Sequence, residues 1–196
     1  MATTMGRRER KKAQTRQALA DAALRLFSAH GYDGVTVAQI ADEADVSIAT
    51  LFAHVPDGKE ALIFDDGTER RDGLVAAVRD RPPGQPVLAA LRRFMSGRGP
   101  FTTRLAPELQ RKHDLIMSTP ALRDYSRKLW TAGEGALAGV IAAESGRDPS
   151  DMTVRALARY VLEIPDLAGM EPDPRAAMNA VFDLLESGWP GPSGGA

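Results

Sequence analysis

Residues 31–62, GYDGVTVAQIADEADVSIATLFAHVPDGKEAL, place helix-starting and helix-stopping signals so close together that only short helices fit between them. Thr36-x-x-Gln39 has the form of a capping box, in which the side chains of the N-cap Thr and of the Gln three residues on satisfy each other's orphan backbone donors. Ser47 is a second N-cap candidate, and Pro56 and Gly58 punctuate the chain after it. Val37, Ile40, Ala41 and Ala44 recur at helical spacing. Upstream, Leu19, Ala22, Ala23, Leu26 and Phe27 form one apolar stripe, predicting a helix from about Thr15 to His30 with Gly31 as its left-handed stop. The stretch therefore predicts three helices, the last two joined by a tight turn at Asp45-Val46.

Such a unit can set its last helix into the major groove of DNA and hold the flanks to phosphate. Asp45 stands where glycine turns most easily, and Asp tolerates the left-handed region at modest cost. Ser47, Ile48, Ala49 and Thr50, followed by Phe52 and His54, present small or polar groups near the start of the last helix. That helix holds no Arg, Asn or Gln, so bidentate reading of guanine or adenine is absent from it, and apolar contact with thymine methyls, water-mediated contacts and DNA shape are expected to carry more of the specificity. The whole chain is nearly neutral, with formal charge −1. Residues 1–34, however, hold Arg7, Arg8, Arg10, Lys11, Lys12, Arg16 and Arg25 against Glu9, Asp21 and Asp33, which predicts a basic, flexible arm over residues 1–14.

The pattern G-Y-x-x-x-T-V-x-x-I-A-x-x-A-x-V-S-x-x-T-L-F-x-H-V-P-x-x-K-E-A-L resembles the TetR family of bacterial transcriptional regulators, over roughly residues 15–65. Asp45 replaces the common Gly, Phe52 and Val55 replace Tyr and Phe, and one residue is inserted between Pro56 and Lys59. Carried over by position, the resemblance implies that Thr36 and Val37, at the start of the second helix, lie at phosphate. Ser47, Ile48, Ala49 and Phe52 then enter the major groove, His54 meets the groove rim, Lys59 contacts phosphate, and Arg16, or the arm before it, contacts phosphate or the minor groove. It further implies an all-α fold of about nine helices. Residues 15–66 would bind operator DNA, residues 67–190 would bind an effector and dimerise, and residues 191–196 would be a disordered tail.

Beyond Arg81-Pro-Pro-Gly-Gln-Pro86, helical periodicity continues to the end of the chain. A fourth helix is predicted from Lys59 or Glu60 to about Arg79, and a long seventh helix from Pro120 to the break at Gly146–Pro149. Pro165 should kink or stop the eighth. Phe94, Met95, Phe101, His113, Met117, Tyr125 and Trp130 are candidate pocket residues, since Met and aromatic side chains line adaptable apolar sites. The resemblance implies a homodimer through the last two helices, for which Leu157, Tyr160, Val161, Ile164, Met178, Val181, Phe182 and Leu185 are candidates. A dimer suits a palindromic operator, whose half-sites lie roughly 34–36 Å apart.

The chain of 196 residues has no Cys, which excludes thiolate catalysis and disulfides, and no metal-ligand spacing joins His30, His54 and His113. Gly58-Lys59 lacks the Ser/Thr and the first Gly of a phosphate loop, since Glu60 and Ala53 occupy those positions. No catalytic residue, metal or cofactor is expected. No apolar run reaches the roughly 18 residues of a membrane span, and no secretory signal is present, so a cytoplasmic protein is expected. The reading is a homodimeric repressor released by a small-molecule effector, with control by a protein partner, or activation of transcription, as alternatives.

Overall fold

A computed structural model describes residues 6–188. Ten α-helices account for the described secondary structure, with two 3-10 turns and no strand: α1 Arg7–His30, α2 Val37–Glu43, α3 Ile48–His54, α4 Thr68–Arg79, α5 Val87–Ser96, α6 Pro107–Ser118, α7 Pro120–Thr131, α8 Glu134–Ser145, α9 Met152–Ala168 and α10 Pro174–Ser187. The 3-10 turns are Lys59–Leu62 and Gly99–Phe101. None of these helices is long and apolar enough to cross a membrane. The expected tail, 191–196, lies outside the described residues.

The chain divides into two compact units. The first comprises the residues up to Asp65 together with Ser118–Tyr125. Its core is Leu19, Ala22, Ala23 and Phe27 of α1, Ile40 and Ala41 of α2, Leu51 of α3, and Val55 and Leu62 beyond it, all buried. Leu122 of α7 is buried as well, and the Tyr125 ring lies 5.4 Å from that of Phe64. The second unit comprises Asp66–Met117 and the residues from Ser126 onward. Its core runs through Leu74, Val78, Leu91, Met95, Leu137, Ile141, Ala158, Val161, Ile164, Met178 and Phe182.

Three boundaries differ from the sequence reading. Helix α1 begins at Arg7, so described residues of the expected flexible arm are helical; Arg, Lys, Glu, Ala and Gln favour helix strongly enough to extend the apolar stripe backward by two turns. The predicted fourth helix from Lys59 is instead a 3-10 turn, a break, and then α4. Gly67 at the break has φ 72°, a left-handed conformation that interrupts a right-handed helix, and the Asp66 carboxylate accepts from the Thr68 N–H at 2.9 Å to start a new one. The long seventh helix divides into α7 and α8 where the Gly133 N–H bonds to Trp130 O, one residue short of the α-helical partner, and the ladder restarts at Leu137 N to Gly133 O. Pro165 does not stop its helix: α9 continues to Ala168, closed by Gly169 N donating to Pro165 O.

Candidate nucleic-acid interface

Helix α2 starts with the predicted capping box: Thr36 Oγ1 accepts from Gln39 N at 3.3 Å, and Gln39 Oε1 accepts from Thr36 N at 2.8 Å. It ends in a Schellman motif, with Val46 N to Ala41 O and Asp45 N to Asp42 O. Asp45 sits at the left-handed position, φ 52°, the only non-glycine with positive φ among the described residues. Ser47 Oγ accepts from Thr50 N at 3.0 Å and lies 2.8 Å from Thr50 Oγ1, capping α3. These bonds fix the turn between α2 and α3, while Leu51, fully buried, nails α3 to the core.

What α3 leaves outside is apolar. Ile48 is 46% and Phe52 48% exposed, one turn apart on the same face, with Ala49 exposed beside them. The Ser47 and Thr50 hydroxyls face demands from the cap itself. Thr36 is exposed and Val37 half-buried at the start of α2, and His54 is half-buried at the end of α3. Seven of the nine predicted contact residues, Thr36, Val37, Ser47, Ile48, Ala49, Phe52 and His54, thus sit on the paired short helices or their caps.

Arg16 and Lys59 do not join them. The Arg16 guanidinium donates to three carbonyls, His54 O at 3.0 Å, Ala61 O at 3.2 Å and Phe64 O at 3.0 Å. It closes the open carbonyl end of α3 and the 3-10 turn. Lys59 Nζ donates to Tyr32 O at 2.8 Å and Val35 O at 2.9 Å and stands 4.0 Å from the Tyr32 ring centroid. Its expected helix N-terminus is a four-residue 3-10 turn with little dipole to offer an anion. The next residue, Glu60, accepts from the Tyr32 hydroxyl, and burial, with that carboxylate, pushes the phenol's pKa up. Lys59 and Glu60 together tie down the loop before α2.

A cleft flanks α3, formed in part by basic residues that the sequence reading placed on a flexible arm. It measures about 470 Å³ and is lined by Arg8, Glu9, Lys11, Lys12 and Thr15 of α1 with Thr50, Ala53 and His54 of α3. The i, i+3, i+4, i+7 spacing of Arg8, Lys11, Lys12 and Thr15 was visible in the sequence, but only as part of a charge run.

In the second unit a separate cavity of about 120 Å³ brings together five of the seven predicted pocket residues, Met95, Phe101, His113, Met117 and Trp130, with Arg98, Gly99, Pro100, Ile116, Ser126 and Pro165. Arg98 is held by Glu69 through two bonds of 2.9 and 2.6 Å, and His113 Nε2 lies 3.1 Å from Gly169 O. Phe94 and Tyr125 are elsewhere. Phe94 lies under the Arg98 guanidinium, 4.3 Å from its ring centroid, and Tyr125 stacks on Phe64 in the first unit. The predicted dimer residues divide too. Val161, Ile164, Met178 and Phe182 are fully buried in the protomer's own core and have no surface to offer a second chain. Leu157, Val181 and Leu185 pack partly against that core. Tyr160 is 58% exposed, and Leu167, Met170 and Leu184, which apolar periodicity did not separate from core, are exposed as well.

Two short capped helices with an exposed reading face, followed by an all-helical unit with its own core and cavity, define a helix-turn-helix DNA-binding regulator. The family model described as bacterial regulatory proteins, tetR family, matches residues 19–65, and the one described as the MftR C-terminal domain matches residues 85–190. The chain belongs to the TetR family of bacterial transcriptional regulators. It is 34% identical over 153 residues to the HTH-type transcriptional regulator TcmR of Streptomyces glaucescens, covering 74% of this chain and 67% of the relative. It is 25% identical over 186 residues to the putative mycofactocin biosynthesis transcriptional regulator MftR of Mycobacterium tuberculosis, covering 91% and 93%. Among solved structures it shares the fold of Salmonella enterica GusR, with TM-score 0.56, 19% identity, and 89% and 95% coverage. It shares it also with FadR of Bacillus subtilis in complex with stearoyl-CoA, with TM-score 0.56, 18% identity, and 88% and 98% coverage.

Proposed function

We propose that this regulator is a homodimeric repressor of a palindromic operator, released when a small, largely apolar molecule enters the cavity of the second unit. The observation that carries the reading is the cavity: Met95, Phe101, Ile116, Met117, Trp130 and Pro165 supply apolar walls, and His113, Ser126 and Arg98, the last paired with Glu69, supply polar groups. That is the composition of a small-molecule site, in which a few polar atoms orient a mostly apolar ligand. An engineered apolar cavity of about 150 Å³ holds benzene. At about 120 Å³ this one takes roughly a single ring as it stands. A larger effector must displace Met95 or Met117, side chains flexible enough to repack. Such displacement supplies the differential interaction between two states that release requires.

On the DNA side, Ile48, Ala49 and Phe52 meet base edges, with Thr36, Val37, Ser47 and His54 at their margins. The test has two stages. Duplexes retained by the protein from a random pool supply the operator sequence, expected to be an inverted repeat. A thermal-shift screen of single-ring aromatics and longer acyl compounds then finds ligands, since saturation at about 100 times Kd adds about 2.7 kcal/mol to stability. A true effector lowers operator affinity about 5- to 150-fold, and Trp130→Ala blunts that response. Ligands that stabilise the protein and leave operator affinity unchanged would sink effector release. A reporter whose transcription rises with the protein present would sink repression.

A further inference from the structure

The cavity of the second unit is apolar over most of its wall and one-sided in charge. Its described lining residues include one guanidinium, Arg98, and no carboxylate. A second guanidinium, Arg70, lies 4.6 Å from the ring centroid of Trp130, which forms part of the wall. Two groups hold Arg98 in place. Its guanidinium stands 4.3 Å from the Phe94 ring centroid, and Nη1 and Nη2 each donate to one oxygen of the Glu69 carboxylate, at 2.9 and 2.6 Å. Gly73 of α4 leaves room for this stack: a Cβ there would come within 2.7 Å of the Phe94 ring and 3.5 Å of Arg98 Nη2. The plane of the guanidinium is thus fixed in advance, and Glu69 shows its fork already receiving a planar carboxylate.

Glu69 is a weak occupant of that fork. Its side chain is 72% exposed against 34% for Arg98, and it does not line the cavity. A pair so open to water is worth only about 2- to 5-fold in an equilibrium constant. An anion offered from the cavity meets the same fork with less water around it, where the attraction is stronger.

We infer that the effector is a small carboxylate, whose apolar body fills the cavity and whose carboxylate takes Arg98 from Glu69. The inference rests on the reading of this cavity as the effector site and names the chemistry of its ligand. Charge decides the class. A cationic ligand would meet a guanidinium with no carboxylate in the wall to balance it, and a neutral one would leave Arg98 on Glu69 and gain nothing from it. Size decides the body: about 120 Å³ takes roughly one ring or a short alkyl chain, with the acid group at the wall.

Acids and their amides of the same shape test it: benzoate with benzamide, phenylacetate with phenylacetamide, hexanoate with hexanamide. Binding to the full chain is measured by isothermal titration for the native protein and for Arg98→Met, Arg98→Lys, Glu69→Gln and Asp72→Asn. The last removes an equal charge from the same helix as Glu69. Circular dichroism checks the fold of each variant, and Met keeps an unbranched stem over Phe94. The acids should bind the native chain more tightly than their amides. Hydrogen bonds to a charged group are worth about 10- to 150-fold, so Arg98→Met should weaken the acids by about that factor and leave the amides unchanged. Arg98→Lys should restore part of the loss, because the charge returns without the fork. Glu69→Gln should tighten the acids about 2- to 5-fold and leave the amides alone, while Asp72→Asn changes neither. Amides that bind as tightly as the acids and lower operator affinity would overturn the inference and leave the effector site standing. Acid binding that survives Arg98→Met, or that Glu69→Gln does not tighten, would overturn the exchange at Arg98. No binding by any acid or amide would remove the cavity as an effector site, and the inference with it.

Discussion

Arg16 and Lys59 carry their charges into the protein, and the consequence is a stability effect where a binding effect was expected. Removing the Arg16 guanidinium leaves three carbonyls at the end of α3 and the 3-10 turn without their donor. Charged hydrogen bonds of this kind are worth about 1.5–3 kcal/mol each in isolation, and because the three act as one unit, Arg16→Ala should lose about 2–4 kcal/mol in urea unfolding. Lys in its place cannot fork to three separate acceptors and should recover only part of this. The salt slope of DNA binding should not change; a fall of one contact's worth would return Arg16 to the phosphate. Asp45 is the complementary case. Its φ of 52° is open to glycine, tolerated by Asp and forbidden to β-branched residues. Asp45→Val should lose about 1–3 kcal/mol, and Asp45→Gly should be neutral or slightly stabilising. Equal stabilities for the two would mean that the turn is not held in the left-handed conformation.

At the scale of helices, α7, α8 and α9 are laced by charge. Glu163 of α9 accepts from Arg127 of α7 at 2.6 and 2.9 Å and from Arg159 at 2.9 Å, and Arg159 reaches Glu134 of α8 at 3.2 Å. The hydrogen bonds from Arg127 hold the Glu163 carboxyl below the usual carboxylate range. A carboxylate with a depressed folded-state pKa stabilises fully above its unfolded value, about 4.3, and loses that contribution as pH falls through the lower folded value. Unfolding midpoints should therefore drop below about pH 4.5, and Glu163→Gln should lower stability at pH 7 while flattening the acid limb. An acid limb of unchanged steepness in that variant would show that other carboxylates carry it. Most helices were legible because apolar spacing and caps are local: Leu19 to Phe27, the Thr36–Gln39 box and Ser47 each act within two turns. The breaks at Gly67 and Gly133 were not, because periodicity alone runs through a glycine whose conformation is decided by packing. The carbonyl partners of Arg16 and Lys59 were hidden for a related reason. A basic residue beside a DNA-reading motif looks like a phosphate contact in sequence, and only the folded chain brings the carbonyls that engage these two residues within reach.

At the scale of the whole molecule, apolar residues of α9 and α10 fall into a buried set and an exposed set that sequence cannot separate. Val161, Ile164, Met178 and Phe182 are core, and truncating Phe182 to Ala should cost about 3–5 kcal/mol of stability. Tyr160 and Leu167 recur seven residues apart on the outer side of α9, and Leu184 is exposed on α10, which packs against it. Exposed apolar residues at that spacing form a stripe that water covers poorly, and a second copy of the chain is the occupant we propose for it, as the palindromic operator proposed above would need two recognition helices. Sedimentation should accordingly find a dimer for the native chain and a monomer for Tyr160→Asp/Leu167→Asp, whose helical content and thermal unfolding stay close to native because neither side chain belongs to the core. Joining two readers makes the second contact intramolecular, a gain of roughly 10²- to 10⁴-fold, so the monomeric variant should lose about that much affinity for a palindromic duplex and little for a half-site. A native chain that sediments as a monomer would leave this face to a different protein. A double variant that remains a dimer would move the interface elsewhere on the second unit.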